Sequence, residues 1–158
     1  MKDLANLPED CRIELPESLL SDKIFFLKFC NLREDEFNLF QKSLKCIEKY
    51  MIDNRINIPE DIFPINICFV EDREQIIVPL GKTSYGSISY TIIYNMTLIR
   101  NKELPDFQVM TVFLEELAHH FLFCKNEVDV KHLVYNFLKY EYLSLSIGNT
   151  YRKEVLNE

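Results

Sequence analysis

The feature that most constrains this chain is a stretch with helical periodicity and no plain solvent face: Val112-Phe113-Leu114-Glu115-Glu116-Leu117-Ala118-His119-His120-Phe121-Leu122-Phe123. At roughly 100° per residue, Met110, Phe113, Leu114, Leu117 and Phe121 share one broad face, while Val112 and Phe123 flank the side that carries Glu115 and His119. A helix that is apolar nearly all round has to be covered on more than one side. The same run places Glu115 over His119 and Glu116 over His120, because residues four apart on a helix are neighbours. Ionisable groups framed by Val and Phe need partners, since burying them unpaired is costly.

A chain of 158 residues with 47% hydrophobic content can bury one real core and is short for two. Its 18 Lys and Arg against 25 Asp and Glu leave a net charge of −7, and the basic residues are scattered. A direct nucleic-acid binder would show a basic patch, so that class is set aside. The five cysteines, Cys11, Cys30, Cys46, Cys68 and Cys124, are odd in number and contain no C-x-x-C pair, as expected of reduced thiols in a cytoplasmic protein. No apolar run reaches the roughly 18 residues of a membrane span, and the first residues, MKDLANLPEDCRIELPES, put acids and prolines where a secretory leader has its apolar core. The expectation is a soluble cytoplasmic protein without a membrane partner.

Along the chain, residues 1–33 read as an N-terminal extension, irregular around Pro8 and Pro16, with the apolar run Ile24-Phe25-Phe26-Leu27-Lys28-Phe29 open to either strand or helix. Residues 34–158 read as a single α+β domain. Phe37, Phe40, Leu44, Ile47 and Met51 recur at threes and fours, which predicts an amphipathic helix from Arg33 to about Asn54, with Asp35 and Glu36 suiting its positive end. Three strands are predicted at Ile65–Val70, Gln75–Leu80 and Ser87–Tyr94. The first two have a connection of hairpin length, and the third alternates Ile88, Tyr90, Ile92 and Tyr94 against Ser87, Ser89, Thr91 and Ile93, so an antiparallel or mixed three-stranded sheet is the simplest assembly. Pro105-Asp106 starts the helix of the motif, predicted to run to about Phe123. Asn126 is a fair N-cap for a last helix from Glu127 to about Ser146, which Gly148 can end. The short connection makes the last two helices antiparallel neighbours and brings Glu127 and Asp129 towards His119.

Those residues have the chemistry of a metal site. A catalytic zinc takes three protein ligands and leaves one position for water, and two ligands four apart on a helix with a carboxylate from a following helix is a standard solution. This gives Glu115, His119 and Asp129 as metal ligands and Glu116, directly after the first ligand, as the catalytic base. The other register, Glu116 with His120, puts Leu117 where the base belongs and suits only a structural ion. The bland alternative is two ordinary i, i+4 pairs worth about 0.2–0.5 kcal/mol each. His132, one turn beyond Asp129, reads as an exposed or satisfied histidine, and Tyr135, Tyr140 and Tyr142 as packing.

The motif Glu115-Glu116-Leu117-Ala118-His119 resembles the His-Glu-x-x-His helix of zincins with its first histidine replaced. Over residues 34–147 the order of elements resembles the ImmA/IrrE family of small metallopeptidases. Three segments carry the likeness: Ile92-Ile93-Tyr94-Asn95, similar to the family's strand ending in Asn; Phe113–Leu122, similar to its His-Glu-Leu-Gly-His helix; and Glu127-Val128-Asp129-Val130-Lys131-His132-Leu133, similar to its Glu-x-Glu-Ala-Asn-x-Phe segment. The resemblance implies a minimal zincin-like fold, a divalent metal, and an intracellular endopeptidase acting on a regulatory protein such as a helix-turn-helix repressor of a phage or mobile element. It equally implies, where the motif has decayed, an inactive fold kept as a protein-binding regulator. Three positions depart from the pattern: Glu115 for histidine, Asp129 for glutamate and Ala118 for glycine. A His, His, Glu set around a divalent ion carries about +1, whereas His119, Glu115 and Asp129 bring it to about zero. Such an ion is a poorer Lewis acid, and Mn²⁺ gains on Zn²⁺.

Overall fold

A computed structural model describes residues 2–3, 15–16, 18–28, 30–60, 62–71, 76–77, 90–152 and 156. The fold is α+β. The chain divides into two compact units, one built from Met1–Leu32 with Asp61–Glu103 and the other from Arg33–Glu60 with Leu104–Glu158.

The first unit holds the sheet. Its described strands are β1 (Lys2–Asp3), β2 (Ile24–Lys28), β3 (Ile65–Val70), β4 (Ile76–Ile77) and β5 (Tyr90–Asn95), followed by a short helix at Met96–Asn101. The main sheet has the order β2-β3-β5, and both pairings are parallel, with Ile24 opposite Ile65 and Ile65 opposite Tyr90. This corrects the antiparallel or mixed sheet expected from the sequence. Parallel neighbours need long crossovers, and the chain supplies them: residues 29–64 lie between β2 and β3, and 71–89 between β3 and β5. The expected hairpin of Ile65–Val70 with its successor is absent among the described residues; β4 instead pairs in parallel with β1 as a separate two-stranded sheet. The rest of the segment expected at Gln75–Leu80, with Ser87–Ser89 of the third strand, lies outside the described residues.

Of the apolar run at residues 24–29, which fits either strand or helix, Ile24–Lys28 form β2, so part of the expected N-terminal extension is an edge of the main sheet. Central β3 is buried at Ile65, Ile67, Cys68, Phe69 and Val70, on both of its faces, as a parallel strand between two neighbours is. In β5 the predicted alternation holds at Ile92 and Tyr94, which are buried, and at Ile93, which is exposed, but Tyr90 at the start of the strand is exposed and Ile88 lies outside the described residues; Tyr94 packs on Phe69 with ring centroids 5.3 Å apart. Asn95, which ends the strand, accepts a hydrogen bond from the Leu98 amide at 3.1 Å and so caps the helix that begins at Met96. Arg100 on that helix donates to Glu71 Oε1 at 3.0 Å and to the Asn31 carbonyl at 2.8 Å, fastening the ends of three segments.

The second unit is helical. With the Met96–Asn101 helix counted as α2, the others are α1 (Glu34–Asp53), α3 (Asp106–Phe121), α4 (Glu127–Leu138) and α5 (Ile147–Thr150). At the head of α1 the Arg33 amide donates to Glu36 Oε2 at 2.8 Å, which explains why an acid in the first turn is buried. The apolar stripe predicted for α1 is buried at Phe40, Leu44, Ile47 and Met51. Helices α1, α3 and α4 pack against one another, with Phe40 edge-on to Phe113 at 5.5 Å and Tyr50 edge-on to Phe137 at 4.9 Å. The motif helix is covered as its composition requires: Val109, Met110, Phe113, Leu114, Leu117, Ala118 and Phe121 are all buried.

The last predicted helix is shorter than expected. It ends at Leu138, and Tyr140 and Glu141 continue in tight turns that donate to the carbonyls of Phe137 and Leu138. Two tyrosines draw the chain away from the helix axis there: Tyr140 donates to Asp53 Oδ2 on α1 at 2.7 Å, and Tyr142 approaches Met110 Sδ on α3 at 3.9 Å. Gly148 accordingly does not terminate that helix but lies within α5.

Candidate functional site

The candidate residues sit on the polar edge of α3 and on the first turn of α4. Asn126 caps α4 as predicted, accepting from the amides of Val128 at 2.9 Å and Asp129 at 3.1 Å. Between the two helices the chain turns through Phe123, whose φ of 52° is left-handed, a conformation costly for any residue with a side chain. This turn carries the Cys124 carbonyl to within 2.6 Å of His119 Nδ1. A carbonyl only accepts, so Nδ1 holds the proton and donates it. The other nitrogen, Nε2, faces Glu127 Oε1 at 3.4 Å. His119 is thereby fixed in orientation by its Nδ1–H, as the outer hydrogen bond of a ligating imidazole does, with Nε2 directed towards Glu127.

Glu115, one turn earlier, faces elsewhere. Its Oε1 accepts a hydrogen bond from Tyr151 Oη at 2.9 Å, and both residues are half-buried. Burial pushes the Glu115 carboxyl above the usual carboxylate range, helped by the neighbouring charges of Glu116 and Glu127 and opposed by the Tyr151 hydrogen bond and by Lys131. Burial, then the Glu115 charge and the shared hydrogen bond, pushes the Tyr151 phenol up as well, so the proton stays on the tyrosine. A cleft of about 400 Å³ opens beside this pair.

The four residues expected to act together are therefore differently employed. Glu115 is bound to Tyr151, His119 to the Cys124 carbonyl with Glu127 beside it, Glu116 is exposed, and Asp129 is exposed. The geometry of α4 accounts for Asp129. Residues two apart on a helix point about 200° apart, so if Glu127 turns to α3, Asp129 turns to solvent. The carboxylate that reaches the histidine is Glu127, the other acid of that first turn. Among the described residues no three His, Cys, Asp or Glu side chains are grouped to hold a metal ion. As placed, the donors fit an oriented His119 and one carboxylate but not the three-ligand set of Glu115, His119 and Asp129. His120 has its ring edge-on to Phe121 at 4.8 Å, and His132 is exposed.

The residue that sequence reasoning missed is Tyr151. It lies in the C-terminal segment beyond the resembling region, and nothing in its local pattern marks it as a partner of an acid 36 residues away. Of the remaining thiols, Cys46 and Cys68 are buried, and that burial pushes them up to about 12 and about 11, which keeps them protonated packing residues. No helix among the described residues is long and apolar enough to cross a membrane. Comparison with protein-family models, with curated proteins and with solved structures gave no match.

Proposed function

We propose that this chain is a metallopeptidase-like fold retained as a cytoplasmic protein-binding regulator, of the kind a phage or mobile element carries, rather than a working hydrolase. One observation carries the reading: the carboxylate that stands where a zincin has its first histidine is occupied by a hydrogen bond from Tyr151. A half-buried acid with a raised affinity for its proton is a poor metal ligand, since the ligand has to be ionised. The exposure of Asp129 supports the same conclusion. Its partner is a regulatory protein, and the chain's net charge of −7 argues against direct contact with nucleic acid. Elemental analysis of protein purified without chelator tests it. Substoichiometric zinc and manganese is the expected result, and one equivalent of either overturns the reading.

A second reading, a metal-dependent endopeptidase, is favoured by the orientation of His119, whose Nδ1–H is held by the Cys124 carbonyl. On that reading Glu127 or Asp129 joins His119 and Glu115 around Zn²⁺ or Mn²⁺, and Glu116 is the base. Cleavage of a protein substrate that is lost in Glu116→Gln with the fold intact would establish it.

A further inference from the structure

The segment after Leu145 has little of its own to hold it in place. Helix α5 is a single turn of four residues with no buried side chain, and one turn is far below the length at which a helix is stable alone. The residues leading to it are exposed, Leu143 by 85%, and a Cβ built on Gly148 would meet open space. The chain is anchored just before the segment, where Tyr135 Oη donates to the Leu145 carbonyl at 3.3 Å. Beyond that point it lies against α3 and α4, and the side-chain hydrogen bond that fastens it is Tyr151, half-buried, donating to Glu115 at 2.9 Å. The intervening cleft of about 400 Å³ is lined by Gln108, Thr111, Val112 and Glu115 of α3 and by Asn149 and Tyr151 opposite.

We propose that residues 147–152 form an autoinhibitory strap across the Glu115 side of α3, fastened by the Tyr151–Glu115 hydrogen bond and hinged at Ser146. With the strap closed, the phenol occupies the carboxylate. With it open, Glu115, Gln108 and Thr111 line one continuous groove along α3. Segments with few buried contacts open locally without global unfolding, which makes the strap separable from the three-helix core. Its importance rests on the reading above, in which this side of α3 is the working side; its existence does not.

Hydrogen exchange on the full chain tests the strap, comparing wild type with Tyr151→Phe, which removes the donor, and Glu115→Ala, which removes the acceptor. In both variants residues 147–152 should exchange roughly tenfold faster, the loss expected for one hydrogen bond to a charged group, while α3 and α4 keep their wild-type rates. The double variant should exchange no faster than the quicker single one, since both remove the same fastening. A cysteine placed in the cleft by Val112→Cys should be labelled faster by a maleimide when Tyr151 is also Phe. Unchanged exchange of 147–152 in Tyr151→Phe overturns the strap, as does exchange of α3 and α4 that rises in step with it. Stoichiometric zinc in the wild-type chain would instead overturn the functional reading and leave the exchange result standing.

Discussion

Glu115 and His119 occupy consecutive turns on the same edge of α3, yet their surroundings are built in opposite ways. The histidine is held by what immediately follows it in the chain: a left-handed Phe123, the Cys124 carbonyl five residues on, and Glu127 in the next helix turn. The glutamate is held by a tyrosine 36 residues away, brought back by α5. The first environment is local and forms whenever the α3–α4 turn forms. The second depends on the C-terminal segment returning to α3, so it is the part of the edge that can be separated from the rest.

The largest effect is expected in the helix that both residues share. Phe113→Ala removes a fully buried ring that meets Phe40 and should cost about 3–5 kcal/mol. Chemical denaturation should show both environments lost in one transition; separate transitions would mean that they do not share a core. Next, Tyr151→Phe should cost about 1–2 kcal/mol by leaving Glu115 without its donor, with the ring environment of His119 unchanged by NMR.

The pH dependence sharpens the same contrast. The Glu115 carboxyl is raised in the folded chain, so the folded state binds the extra proton in the window above the ordinary value of 4.5. Stability from this group is therefore greatest at low pH and declines as pH rises through that window. Relative to Glu115→Gln, the wild type should lose stability from pH 4.5 upwards and level off once Glu115 is ionised. Tyr151→Phe removes an influence that lowers the carboxyl, so the decline should extend to higher pH; a shift to lower pH would contradict the assigned cause.

The local environment is probed by smaller changes. Asn126→Ala removes the acceptor of two cap hydrogen bonds and should cost about 1 kcal/mol, shifting the His119 resonances while leaving exchange at residues 147–152 alone. Phe123→Gly should stabilise the chain by up to about 1 kcal/mol, because glycine adopts a positive φ without a steric penalty. Destabilisation there would show that the exposed Phe123 ring contributes more than its backbone conformation costs.

Much of the helical unit was legible in the sequence. The three-and-four spacing of α1, the Pro105-Asp106 start of α3 and the Asn126 cap all stand where the pattern put them. The sheet was less legible. Ile65-Asn66-Ile67-Cys68-Phe69-Val70 does not alternate, which is the mark of a strand covered on both faces, but strand direction is decided by partners far along the chain. Nor did the run at Ile24–Phe29 announce its pairing, since six residues of which five are apolar fit a strand or a buried helical turn equally. In the candidate site, the presence of acids and histidines on one helix edge was readable, and which acid meets which histidine was not.

By itself, then, the sequence determined that α3 must be buried nearly all round and must present Glu115 and His119 along one edge, because helical periodicity is a property of the local chain. Only the tertiary structure decided that the edge is divided. The direction in which α4 leaves its cap brings Glu127, itself exposed, beside His119 and leaves Asp129 exposed, and the return of α5 gives Glu115 to a phenol. Both outcomes follow from where distant segments are delivered, which depends on the packing of the whole helical unit and is not encoded in any single stretch of it.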